Sequence, residues 1–169
     1  MKEDIFNIIN EINKFSPMAA VLGEPIIDNR VSKFEEEFGV KLPEDFKLFI
    51  SEINGFSLMG TEVYGIYFDD KNPNTLGEIY KYEHRGVQVP MPNYLVPFSP
   101  DGGGNYYCFD TRIIENDSCP IVFFETHYIY QHDTSPAVTN NSFVDWVNEV
   151  VLDSTLEDYN YDGSPREEA

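Results

Sequence analysis

Basic residues are scarce in this chain: 11 Lys and Arg stand against 30 Asp and Glu in 169 residues, giving a formal charge of −19. A protein that grips a phosphate backbone needs a cationic footprint, so free nucleic acid is not the expected partner. The shortage is uneven. Residues 1–85 carry 16 acidic and 9 basic residues, whereas residues 86–169 carry 14 acidic residues and only Arg112 and Arg166. Like charges there repel with few internal cations to relieve them, which fits either a cationic partner or an acidic surface that serves solubility. Long apolar runs are missing too, since no window approaches the ~20 apolar residues of a membrane-spanning helix. No polybasic segment is present to hold the chain on anionic lipid. The opening Met1-Lys2-Glu3-Asp4 leads into an apolar stretch broken by Asn7, Asn10 and Glu11, without the continuous core or cleavage site of an export signal. A cytoplasmic protein is the expectation. Cys108 and Cys119 could pair from neighbouring strands, but in that compartment they are expected as free thiols.

Signature motifs are absent as well. There is no G-x-x-x-x-G-K-S/T loop, no G-x-S-x-G elbow, no H-E-x-x-H and no C-x-x-C, which removes the local marks of nucleotide, hydrolase and zinc chemistry. His127 and His132 are five residues apart, a spacing that points them to opposite faces of a strand rather than to one metal. His84, between Glu83 and Arg85, reads as a surface residue. Asp101-Gly102-Gly103-Gly104-Asn105 has glycines that could approach an ion, but it lacks the ligand alternation of a calcium loop and the lysine of a phosphate loop. It reads as a sharp strand connection, and Asp110 as the cap of the turn after it. No catalytic residue, cofactor or metal is expected. A small enzyme built on one of the three histidines and an aspartate is the contrasting reading.

What the chain does contain is a core. With 41% hydrophobic and 15% aromatic residues, a chain of this size buries ~70% of its unfolded surface without needing staples. Ile5, Ile8, Ile9 and Ile12 form the stripe of a first helix. A second helix is expected from an Asp28 cap to Gly39, burying Val31, Phe34 and Phe38 and exposing Glu35, Glu36 and Glu37. Pro43 suits the first turn of a third helix with Phe46, Phe49, Ile50 and Ile53 inward, ended by Asn54-Gly55. The period then changes, and 62–68, 77–82, 94–98, 105–110, 121–125 and 128–131 read as strands. Ser142 and Asp145 mark the start of a last helix carrying Phe143, Trp146, Val147 and Val150. The expected fold is α+β, a mainly antiparallel sheet of about five or six strands packed with N-terminal helices and a C-terminal helix. One domain should span residues 1–156, followed by an acidic, flexible tail over 157–169.

Phe38-Gly39-Val40-Lys41-Leu42-Pro43-Glu44-Asp45-Phe46, with Phe49 and Asn54-Gly55, resembles the opening helical motif of the SUKH superfamily, the Smi/Knr-like proteins. Tyr94–Phe98, Gly103–Asp110, Pro120–Phe124 and Ser142–Trp146 are similar to that family's later strands and closing helix, so the resemblance covers roughly residues 28–150. It implies a non-enzymatic α+β binding domain. Most bacterial members are immunity proteins that neutralise a polymorphic toxin, often a nuclease, while fungal members regulate cell-wall synthesis as interaction hubs. The family has no catalytic residues to carry over, and its toxin contacts vary among members, so none is transferred.

Charge and chemistry must therefore supply the interface. A cognate protein toxin with a cationic nuclease domain would be met by a few aromatic anchors ringed by carboxylates, with complementary fields speeding encounter. The first candidates are Tyr64, Tyr67, Tyr80 and Tyr82 beside Asp69, Asp70, Glu78 and Glu83, with the loop acids Asp101 and Asp117 second. The same tyrosines could instead cover the sheet, rings buried and hydroxyls wet. A regulatory scaffold with several weak partners is the alternative function.

Overall fold

The computed structural model describes residues 1–67 and 74–167. Helix α1 (Lys2–Ile12) buries Ile5, Ile8, Ile9 and Ile12, with Glu3 and Asp4 at its positive end. After β1 (Ala20–Leu22), α2 (Arg30–Phe38) stops at Gly39, whose φ of 66° is the left-handed geometry glycine tolerates. Asn29 rather than Asp28 holds the cap position, without a side-chain cap bond, while the Asp28 carboxylate accepts from the Arg30 backbone N–H and guanidinium. Glu35 departs further from expectation. It is buried, accepts the Leu42 N–H at 2.9 Å, and pairs with Lys47 and Lys41 at 2.8 and 2.9 Å. In α3 (Glu44–Ile50), Pro43 is the cap rather than the first helical residue, and Phe46, Phe49 and Ile50 are fully buried.

The chain continues through β2 (Phe56–Leu58), β3 (Thr61–Val63) and α4 (Leu76–Lys81), which runs into a π-helical turn at Tyr82–Gly86. Then come β4 (Leu95–Pro100), β5 (Tyr106–Asp110), β6 (Ile121–Phe124) and β7 (Ala137–Asn140). The closing helix is α5 (Phe143–Trp146), a π-helical segment Val147–Asp153 and α6 (Ser154–Asp158), started by Ser142, whose hydroxyl accepts the Asp145 N–H. The fold is α+β with antiparallel strands, divided into a three-stranded sheet, β1-β2-β3, and a four-stranded sheet, β4-β5-β6-β7. The Tyr64 N–H donates to the Phe98 carbonyl at 2.8 Å and joins the two. The buried Asn54 amide holds both the N–H and the C=O of Ile66, at 2.8 and 3.0 Å. A Cβ at Gly65 would come within 2.3 Å of the Asn54 carbonyl, so only glycine permits that approach.

Two expected strands are not strands. Residues 77–82 lie in α4 and the π turn, because the Thr75 hydroxyl caps the Glu78 N–H and starts a helix there. Residues 128–131 lie in the loop between β6 and β7. Beyond Leu156, the Tyr161 ring sits edge-on to Phe15 at 4.9 Å, its hydroxyl donates to the Glu11 carboxylate, and Tyr159 bridges to Pro165.

The four-stranded sheet is buried on both faces. Alternation along β5 sends Phe109 to the helix side and Cys108 to the other. On the helix side, Phe46 lies 4.8 Å from Phe109 and 5.2 Å from Phe143, and Phe98 is 4.8 Å from Trp146. The opposite side holds a smaller cluster, Met91, Leu95, Cys108, Val122 and Phe124, covered by loops that bring Tyr94 and Tyr130. Cys108 and Cys119 are both free and buried, Cys119 within the larger core.

Candidate functional site

The loop-covered side of the sheet carries a cleft of about 570 Å³ between the π turn and the chain after β6. A π turn holds one residue more than an α turn, which alters the facing of successive side chains. Tyr82 points to solvent while its neighbours Glu83 and His84 are buried. The turn is fastened at several points. His84, expected at the surface, stacks on Tyr80 at 3.7 Å, with Nδ1 2.7 Å from the Tyr80 carbonyl and Nε2 3.1 Å from that of Pro92. The Met91 N–H donates to the Glu83 carbonyl, and the Tyr80 hydroxyl to that of Asn93. The stretch 87–93 is thereby held against the turn as one wall.

The opposite wall comes from β5, the 101–105 connection and the loop after β6. Asp101 Oδ1 accepts the N–H groups of Gly103 and Asn105 at 2.7 and 2.8 Å. Burial works against ionisation of this carboxyl, but the bonds from Asn105 and Gly103 outweigh it and hold it below its ordinary range. Asn105 accepts the Thr126 N–H, and the Thr126 hydroxyl donates to the Gly104 carbonyl, fixing the start of the β6–β7 loop. Tyr130 stacks on Phe124 at 5.2 Å and packs against Tyr128 at 4.8 Å.

Four large apolar side chains stand on the rim with much of their surface in water: Tyr82 at 57% exposure, Val89 at 60%, Tyr128 at 48% and Ile129 at 70%. Exposed apolar groups gathered on one rim make this cleft the candidate site. On the floor lies Glu83, buried, with the Tyr106 phenol as its hydrogen-bonding neighbour. Burial pushes the Glu83 carboxyl above its ordinary value, and the Tyr106 bond only partly opposes this. The phenols of Tyr106 and Tyr64 are pushed up in turn, first by burial and then by nearby charges that include Glu83. Among the described lining residues Glu83 is the one carboxylate, and no Lys or Arg is present.

The ten residues nominated from the sequence do not form one exposed face. Tyr82 and Glu83 belong to this cleft, and the buried Tyr64 lies beneath it. Asp101 shapes the neighbouring connection. Tyr80 is buried and lines a different cleft with His84, Arg85 and Tyr94. Tyr67 donates to the Asn54 carbonyl at 2.7 Å in a third place. Glu78 is exposed and pairs with Lys81, and Asp117 occupies the Glu115–Ser118 turn with a φ of 66°. Asp69 and Asp70 lie outside the described residues. The sequence reading missed Val89, Tyr106, Phe124, Tyr128 and Ile129. Its one usable signal was the apolar trio Tyr128-Ile129-Tyr130 inside an otherwise polar stretch. Among the described residues no group of three or more His, Cys, Asp or Glu side chains is placed to hold a metal ion.

Comparison with known proteins bears on this geometry in two ways. A family model described as SMI1-KNR4 cell-wall, of the SUKH type (SUKH_5), matches residues 5–152. A protein from Pseudomonas syringae pv. tomato, known from its crystal structure, is similar in fold with a TM-score of 0.61 at 20% identity, over 90% of this chain and 99% of that one.

Proposed function

The chain belongs to the SMI1-KNR4 (SUKH) family, and from that premise we propose that it acts by binding, as a cytoplasmic immunity protein that occludes one cognate cationic toxin. The observation that carries this reading is the cleft itself: exposed aromatic and aliphatic anchors around a buried carboxylate, in a chain of net charge −19. Apolar anchors in a desolvated centre supply affinity, while the acidic field outside supplies encounter rate and partner choice. A toxin that handles phosphates must present cationic groups, and these are what such a surface attracts. Inhibition then needs only steric cover of the toxin's working surface, so no catalytic group is required of this chain.

The test is a tagged pull-down from the native host, washed at low and high salt, followed by co-expression with any retained protein. One dominant basic partner whose growth inhibition is relieved supports the reading. Equal association rates at low and high salt would remove its electrostatic part. A second reading, a regulatory scaffold in cell-wall synthesis, draws on the description of the matching family model. Several substoichiometric partners and no relief of toxicity would favour it.

A further inference from the structure

We propose that the cleft between the π turn and the β6–β7 loop receives a single arginine side chain of the partner, flanked by an apolar residue, with Glu83 as its counter-charge. The inference rests on the binding reading above and deepens it. Its starting point is a difference between two carboxylates. Glu35 and Glu83 are almost equally buried, at 8% and 5% exposure, but Glu35 has the ammonium groups of Lys47 and Lys41 within 2.9 Å. Glu83 has no cationic partner among the described residues, only the Tyr106 phenol. A buried carboxylate is tolerated when a cation reaches it, and Glu83 is one of the residues that line the cleft.

The walls favour guanidinium over ammonium. Tyr82, Tyr106, Phe124 and Tyr128 are among the lining residues, and a guanidinium stacks on aromatic rings while forking two N–H groups onto a carboxylate. A lysine ammonium is more strongly hydrated and loses more on entering an aromatic cleft. The volume of about 570 Å³ lies in the ordinary range for ligand sites and admits a long side chain with its neighbour. That neighbour is apolar because the rim positions Val89 and Ile129 are. His127 is the other ionisable group in the lining besides the tyrosines, and it is exposed.

Acetyl-Leu-Arg-Leu-amide and its citrulline counterpart, which keeps the shape and loses the charge, are titrated into the full chain by two-dimensional NMR. The arginine peptide should bind saturably with a Kd of about 1 mM, moving resonances of Tyr82, Tyr106, Tyr128 and Ile129. The citrulline peptide should bind about tenfold more weakly, the usual worth of a charge-assisted bond. Glu83→Gln should abolish that preference, and the exposed-site variants Tyr82→Ala and Ile129→Ala, chosen because they leave folding intact, should weaken both peptides. Equal affinity for the two peptides, shifts scattered over surface carboxylates, or an unchanged preference in Glu83→Gln overturns the proposal. Toxin protection by the wild type with full protection retained in Glu83→Gln also overturns it while leaving the proposed function standing. Loss of protection in that variant, its fold and stability intact, supports it.

Discussion

The four-stranded sheet is finished differently on its two sides. On the helix side the fillers are Phe46, Phe98, Phe109, Phe143 and Trp146, all at 0% exposure. On the loop side five buried residues are closed over by tyrosines. Phenylalanine carries no polar atom, so nothing limits how deeply it packs. A buried tyrosine must keep a partner for its hydroxyl, and that partner can fix a loop, as the Glu125 N–H does for Tyr130. One side is thus built for cohesion and the other for presenting shaped polar and apolar surface. The two buried glutamates repeat the contrast, one neutralised inside the chain and one not.

The sharpest way to break this comparison is Phe46→Ala. It should cost about 3–5 kcal/mol, read as a lower urea midpoint at unchanged slope, whereas Tyr130→Ala on the loop side should cost about 1 kcal/mol. Equal losses would mean both covers are structural. Glu35→Gln comes next, at roughly 1–3 kcal/mol near neutral pH. Burial opposes ionisation of Glu35, but Lys47, Lys41 and the Leu42 N–H outweigh it, so its folded value lies below the ordinary 4.5. Its contribution is therefore present above 4.5 and is lost as pH falls through the folded value, and melting temperatures of variant and wild type should converge in acid.

Glu83→Gln should shift stability in the opposite sense, by on the order of 1 kcal/mol. Burial holds the folded carboxyl above its ordinary 4.5, so stability is lost as pH rises from 4.5 through the folded value. The variant should be the more stable protein above that window and its equal below. A less stable variant at pH 7 would reveal a cation already paired with Glu83. The smallest effects belong to the rim: Val89→Ala and Ile129→Ala should change stability by no more than about 0.5 kcal/mol, and a larger loss would place these residues in the core.

The same division explains what could be read from the sequence. The helix side announces itself, because Ile5 to Ile12 and Phe46 to Ile53 repeat at the helical period and Gly39, Asn54-Gly55 and Ser142 punctuate it. The loop side has no such period. Leu76–Lys81 is six residues long and holds Gly77, Ile79 and Tyr80, which read as strand until the Thr75 cap is seen. In β7 three of four residues are exposed, so no alternation marks it. β1 and β2 are three residues each, too short for either pattern. The cleft depends on which tyrosines end up under others, a fact of tertiary packing: Tyr80 and Tyr82, two residues apart on a helical segment, point to different sides and line different clefts.

Cys108 and Cys119 lie one beneath each cover. Burial first, then neighbouring carboxylates, pushes both thiols well above the ordinary 9.0, so the closed molecule is inert towards a disulfide reagent. Reaction therefore counts openings, and the unmodified protein carries two clocks: Cys108 times the lifting of the loops, Cys119 the parting of the helices. Cys108 should be labelled first. Equal rates would mean that the molecule opens as one unit, and a partner seated across the loops should slow the first clock and leave the second running.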